Sequence, residues 1–260
     1  VHLVNVRDTI KIALMNLLVC INKTPETTAK IAFTDGNTQF DTNGVQFIMN
    51  PYDEWYALVR ALELKEQHGG SVTVINVGPA SNDVVIRKAL AIGADKAVRI
   101  NADATNSMMV AKNIADYAQS NDFDIIFTGK ESIDFNGSEV GGAIAGYLSV
   151  PFVSYSSALD HDGTTATVTR DIDGGVEVVN VSGKFVLSAA KGLAEQRIPN
   201  MRGIMMAKKK PLEVVEPTAA TAHVALTEYT LPAAKSGVKM IDPENMDELV
   251  RLLQEEAKVI

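Results

Sequence analysis

Short apolar runs recur along this chain at intervals filled by helical patterns, and that alternation constrains the fold more than any other feature. Leu17–Ile21, the β-branched run Ser71–Val77, Ala97–Ile100 and Asp124–Phe127 read as strands. Between them, Asn50 as N-cap with Pro51 at the first helical position predicts a helix whose apolar face is Trp55, Leu58, Val59 and Leu62, ended by Gly69-Gly70. A second helix is expected over about Asn82 to Ala91. A third, near Asn106 to Gln119, carries Met108, Ala111, Ile114, Ala115 and Ala118 on one face, with Met108 read as core filling. A fourth runs from Glu139 to Leu148. Strands alternating with helices of this length require a parallel sheet covered on both faces, the α/β class with a Rossmann-like arrangement. Right-handed crossovers leave a crevice beyond the C-terminal strand ends, where such sheets bind ligands.

The segments expected at that rim are Cys20–Lys23, Asn50–Tyr52, Val77-Gly78-Pro79 and the loop Thr128–Ser138. The last is the most suggestive. It carries Gly129 and Gly137, the hydroxyls of Thr128, Ser132 and Ser138, and then Gly141-Gly142 in the first helical turns. Such a loop can aim backbone N–H groups at one point, and the next helix adds its own free N–H groups and positive dipole end. It matches neither common phosphate-loop pattern, so an anion cradle and an ordinary turn both remain open on this stretch alone.

Composition narrows the functional classes. A net charge of −8 without an extended basic face argues against nucleic acid. The one cysteine, Cys20, permits no internal disulfide and suits a reducing compartment. The histidines His2, His68, His161 and His223 are scattered, and neither H-E-x-x-H nor C-x-x-C occurs, so no metal site is expected. No Ser-His-Asp, Cys-His or paired-carboxylate arrangement stands at the rim. Lys130, Glu131 and Asp134 read as surface or ligand-orienting groups. Residues 1–14 precede Met15, which opens directly onto the first strand. They read as an upstream segment, in preference to a targeting remnant or an extra strand, and are too short and interrupted to insert in a membrane.

Elsewhere the grammar is β-rich or loose. Turns at Asp35-Gly36 and Asn43-Gly44 predict a small hairpin excursion between Lys30 and Gln46. After a strand at Phe152–Tyr155, Thr165–Asp171 and Glu177–Val181 flank Asp173-Gly174-Gly175 as a hairpin, and Lys184–Ala189 adds a strand. Beyond residue 215 the composition shifts to a linker-like arm, 216–260. Asp242-Pro243-Glu244 is expected to cap a last helix, Pro243 to about Ala257, with Met246, Leu249, Val250 and Leu253 at helical spacing.

One region brings these pieces under a single description. Arg170 to Gly175, then Ile198-Pro199-Asn200, then the basic run Met206 to Lys210 resemble the signature of the electron-transfer flavoprotein β subunit. Val19-Cys20-Ile21-Asn22-Lys23, Asn50-Pro51-Tyr52, Val77-Gly78-Pro79, Ala89 to Asp95 and Gly129 to Asp134 fit the same family in the same order. The resemblance covers 15–215, with a recognition loop near 191–207 and a family-like tail behind it.

It implies an adenine-nucleotide-binding fold, paired with an α subunit that carries the redox-active FAD. The β subunit itself implies AMP, with a second FAD in the same site as the alternative found in bifurcating relatives. Cys20, Asn50, Pro51, Tyr52, Asp53, Val77, Gly129, Lys130, Glu131, Ser132, Ile133, Asp134, Phe135, Asn136, Gly137, Ser138, Glu139 and Val140 would hold the cofactors, Tyr52 approaching the partner's flavin. Phe135 narrows the space for a dinucleotide. Ile198 would anchor a dehydrogenase donor, although spacing alone reads it as an ordinary core residue. The implied role is electron transfer from dehydrogenases, such as acyl-CoA dehydrogenases, to a quinone oxidoreductase or other acceptor. The setting would be the bacterial cytoplasm or the mitochondrial matrix. The competing class, an adenylating enzyme of the same superfold, needs a glycine-serine loop after the first strand, where Asn22-Lys23-Thr24-Pro25 stands instead.

Overall fold

The computed structural model describes residues 14–104, 106–220, 224–235 and 237–260. The expectations for the upstream segment (Leu14 apart), for Thr221-Ala222 in the arm and for Ser236 lie outside the described residues. β1 (Met15–Cys20) leads into β2 (Lys23–Pro25), a small hairpin of β3 (Phe33–Thr34) and β4 (Gln39–Phe40), and β5 (Phe47–Met49). Then follow α1 (Asp53–His68), β6 (Gly70–Val77), α2 (Asp83–Ile92), β7 (Lys96–Ile100), α3 (Ser107–Gln119), β8 (Ile125–Gly129) and α4 (Val140–Leu148). β9 (Phe152–His161), β10 (Thr165–Ile172), β11 (Gly175–Ser182) and β12 (Phe185–Ala189) precede α5 (Met201–Ala207), β13 (Leu212–Val215) and α6 (Met246–Leu252), which ends in a π turn at Leu253–Ala257.

The large sheet has the order β11-β10-β9-β12-β8-β1-β6-β7-β13. From β9 to β13 all pairings are parallel, and β10 and β11 add an antiparallel margin. The alternation of side chains along each strand makes two cores. Leu17 and Val19 face one side, with Leu58, Leu62, Ile86 and Leu90 of α1 and α2. Leu18 and Cys20 face the other, with Ile114 and Ala115 of α3 and Ile144 of α4. After β1 the chain builds outward through β6 and β7, then returns to place β8 on the other side of β1. That reversal lies between β1 and β8, and a crevice opens there beyond their C-terminal ends.

Several local expectations are corrected. Asn50 does not cap α1 and Pro51 is not helical. The helix begins at Asp53 with Tyr52 in the cap position, because the Asn50 side chain is engaged elsewhere. Met108 is exposed, whereas Ala111, Ile114, Ala115 and Ala118 are buried as the periodicity required. The strand at Phe152 continues to His161, so the hairpin is one arm of a three-strand meander. The excursion yields two separate pairs: β3 with β4, and β5, after the Asn43-Gly44 turn, with β2. β13 has no counterpart in the sequence reading. It takes its place by pairing beside β7, a long-range contact invisible to local pattern. In the tail, Asn245 caps the last helix by accepting from the Glu248 N–H, and Asp242 only turns the chain before it.

Candidate functional site

A cleft of about 160 Å³ occupies the crevice. The end of β1 contributes Cys20, Ile21 and Asn22, and the end of β6 contributes Asn76 and Val77. Thr128 to Ser132 come from the end of β8 and the loop after it, which also supplies Phe135 and Gly137 to Val140. Ala104, Asn106, Ser107, Val110 and Ile114 close it from the start of α3, and Glu54 reaches in from α1.

Of the residues singled out in the sequence, Cys20, Val77, Gly129, Lys130, Glu131, Ser132, Phe135, Gly137, Ser138, Glu139 and Val140 are on the wall of the cleft. Asn50, Pro51, Tyr52, Asp53, Ile133, Asp134 and Asn136 stand beside or behind it. The position of Asn50 explains its burial. Its side-chain amide donates to the Glu131 carbonyl at 3.0 Å and accepts from the Ile133 N–H at 3.1 Å. Its own N–H donates to the Asn22 carbonyl. One buried amide thus ties the end of β1 to the loop after β8.

The glycines divide by task. A Cβ on Gly129 would stand 2.8 Å from Glu54 Cγ, and one on Gly141 would stand 2.7 Å from Thr128 Oγ1, so these two allow helices to approach the strand ends. Gly137 meets nothing closer than Glu139 Oε1 at 3.3 Å. The unusual backbone lies on either side of it, at Asn136 (φ 50) and Ser138 (φ 53). Ser138 in the left-handed region followed by Glu139 in the right-handed one is the alternation that turns successive N–H groups toward one side. α4 starts there without a side-chain cap, leaving its first N–H groups free for an anion.

The titratable groups are unevenly solvated. Burial pushes the Cys20 thiol far up, with the Glu54 charge adding to it, so its thiolate is strongly disfavoured. Burial likewise raises the Glu54 carboxyl well above the usual range. The N–H of Asn22, donating to it at 2.5 Å, pulls back only in part, and Asp134 raises it further. Asp53 is raised by burial against the attraction of Lys130. For Lys130 burial works against the charge, but its contact with Glu131 at 3.2 Å and the pull of Asp53 prevail and raise it. No His/Cys/Asp/Glu cluster suited to a metal exists among the described residues. The arrangement can bind an anion and a flat apolar group. Among the described residues it holds no base paired with a nucleophile.

A model of the electron transfer flavoprotein domain matches residues 37–220. The chain is 36% identical to the electron transfer flavoprotein subunit beta of Bacillus subtilis, over 95% of this chain and all of that protein. It is 36% identical to the namesake of Syntrophomonas wolfei, over 88% of this chain and 90% of the relative. It is 30% identical to the human subunit, over 94% of this chain and 99% of the relative. The chain belongs to the electron transfer flavoprotein family. Membership of its β-subunit branch implies an α-subunit partner. Among the described residues no helix is long and apolar enough to cross a membrane.

The second region singled out in this family member, the segment carrying Ile198, is also clear. Ile198 is 83% exposed, which rules out the core reading that its spacing suggests. The backbone that presents it is anchored: Trp55 Nε1 donates to the Arg197 carbonyl, and Arg197 pairs with Glu66 at 2.7 Å. Arg202-Gly203 lies in the first turn of α5. Asn200 accepts from the Gly203 N–H, and a side chain at Gly203 would collide with the Ala91 carbonyl. Of the three lysines that follow, Lys208 and Lys209 are exposed. Lys210 is not: its ammonium donates to the Leu90 and Ala94 carbonyls at the C-terminal end of α2. The start of α3 and Glu54 were missed in the sequence. Their own signals, an N-cap and an acid in a first helical turn, are those of any helix.

Proposed function

We propose that the chain is the β half of a heterodimeric electron carrier. Its α subunit holds the redox-active FAD, and the pair moves electrons from dehydrogenases, acyl-CoA dehydrogenases among them, to a quinone oxidoreductase or another acceptor. FAD supplies the electron chemistry when bound; this chain binds, orients and presents surfaces. The observation that carries the nucleotide part of the reading is the loop 136–139 at the reversal point of the sheet, with positive φ on both sides of Gly137 and an uncapped helix behind it. A phosphate fits there, and the Cys20, Val77 and Ile114 side of the cleft fits an adenine. The exposed ring of Phe135 on the wall favours AMP over a second FAD. For the partner's flavin, the residue that fits is Tyr52, half-exposed and held out by a backbone at φ 66.

Ile198, followed by the exposed Met201, Met205 and Met206, fits an apolar anchor surface for the donor. The arm, 216–260, keeps Met246 and Val250 exposed on α6 and fits a subunit contact. A single cysteine, Cys20, which can form no internal disulfide, suits a cytoplasmic or matrix setting. Co-expression with an α subunit, followed by chromatography of the released nucleotides, is the test. Equimolar AMP and FAD in a heterodimer is the expected result. FAD alone, or two equivalents of it, overturns the AMP reading, and a stable yellow monomer overturns the partner reading.

A further inference from the structure

We propose that Glu54 couples occupancy of the cleft to a proton: its buried carboxyl is protonated when an anionic nucleotide enters and gives the proton back when the nucleotide leaves. This rests on the nucleotide reading of the cleft given above. Glu131 and Glu139 on the same wall reach solvent, while Glu54 is 7% exposed. It is placed there by construction, since the absent side chain of Gly129 is what lets the first turn of α1 approach the end of β8.

The groups that face it supply little compensation for a negative charge. Two neutral donors, the Asn22 N–H just beyond β1 and the Asn50 side-chain amide, favour a charge there only in part, while Asp134 of the loop after β8 and Asp53 of α1 oppose it. The Cys20 thiol of β1 is neutral, and Lys130 and Glu131 line the same cleft. The one cation among these, Lys130, is committed to Glu131 and drawn to Asp53. A phosphate-bearing ligand adds further negative charge to the same cleft, so binding the ligand and ionising the buried Glu54 oppose each other. Linkage makes the effect reciprocal. The ligand draws a proton onto Glu54, and raising the pH past the carboxyl's own range weakens the ligand by up to about tenfold per pH unit.

The test uses the co-purified heterodimer and AMP. Dissociation constants are measured between about pH 6 and about pH 9, and proton uptake on binding is read by calorimetry in two buffers of different ionisation enthalpy. The wild-type complex is expected to take up a fraction of a proton and to lose affinity as pH rises. Glu54→Gln, which keeps the shape and the acceptor oxygen for Asn22, is expected to take up less and to flatten the profile. The phosphate's own titration is common to both proteins and cancels in the comparison. Parallel profiles overturn the proposal. Wild-type binding that is independent of pH overturns it while leaving the nucleotide reading intact, and no AMP binding at any pH overturns both. Should Glu54→Gln fail to fold, Asp134→Asn decides instead. Removing that neighbouring charge lowers the pH at which affinity begins to fall, and an unmoved profile overturns the proposal.

Discussion

β8 and β12 are adjacent parallel strands, each followed by a loop and a helix, yet the two loops are built on opposite principles. The loop after β8 is folded onto an interior polar brace, Asn50, which bridges Glu131 and Ile133, while Glu54 beside it holds the Asn22 N–H just beyond β1. The loop after β12 is held at its start, where the Ala190 N–H donates to the Ser156 carbonyl and Leu193 is buried, and again at Arg197, and it then turns apolar side chains outward. The first arrangement gains its shape from buried hydrogen bonds, which are expensive to leave unmade. The second keeps apolar area in reserve. One loop is a container and the other a surface, and substitutions should separate stability from recognition accordingly.

Asn50→Ala is the hardest blow to the container. It leaves a part-buried carbonyl and a part-buried N–H without their partner, each costing up to about 1–3 kcal/mol when unpaired, and it frees the loop from Asn50. A drop in the unfolding midpoint together with loss of bound nucleotide is expected. Retention of both would mean that the loop holds its shape without the bridge.

Ile198→Ala tests the surface and should leave the fold untouched, since an 83% exposed side chain contributes little to it. At the proposed donor interface it removes roughly 1–3 kcal/mol of apolar burial, about ten- to a hundredfold in affinity. The partner's flavin should still be reduced normally by dithionite, while reduction by a cognate dehydrogenase slows at limiting concentration and recovers as concentration rises. Normal coupling with the dehydrogenase would remove Ile198 from the interface.

The container and the surface were not equally legible. Strand and helix periods carried every strand of the central sheet but β13, with β9 read only in part, because each of those segments obeys a local rule. The cleft was legible where glycines and strand ends announced it. It was not legible at Asn50, whose N-cap pattern is satisfied by sequence and refused by structure: a competing long-range hydrogen bond takes the side chain. Ile198 shows the reverse. An aliphatic residue before a proline carries no mark of exposure, and only its family resemblance pointed outward. β13 and Glu54 owe their roles to neighbours 100 and more residues away or to another element's strand end, which no window of sequence contains.

The lysine run sharpens the boundary between the regions. Lys210→Met removes the donor that closes the end of α2, and burial already lowers the pKa of that ammonium. A loss of about 1–2 kcal/mol in chemical denaturation is expected. Lys208→Met, at an exposed position, should leave stability within about 0.5 kcal/mol. If Lys208 serves the surface, its replacement lowers the salt sensitivity of dehydrogenase coupling. Equal stability losses at the two positions would contradict the contrast drawn between them.

Tyr52 joins the two principles in one residue, and its effect on the fold should be small and of opposite sign to that of Asn50. It sits between the braced Asn50 and the first turn of α1, with φ 66 and ψ −100, a conformation that strains any residue with a Cβ. Its ring is more than half exposed, so little packing compensates the strain. Its carbonyl, which accepts from the Tyr56 N–H at 2.8 Å, is kept by any substitution. Glycine adopts such a backbone at lower cost, though it also gives the unfolded chain more freedom, and these effects partly cancel. Tyr52→Gly is therefore expected to leave the isolated chain as stable as before or up to about 1 kcal/mol more stable. In the heterodimer it should weaken flavin retention if the ring is kept for the partner's FAD. A variant that is clearly less stable would show that the ring packs for the fold, and the strain would then need no partner to explain it.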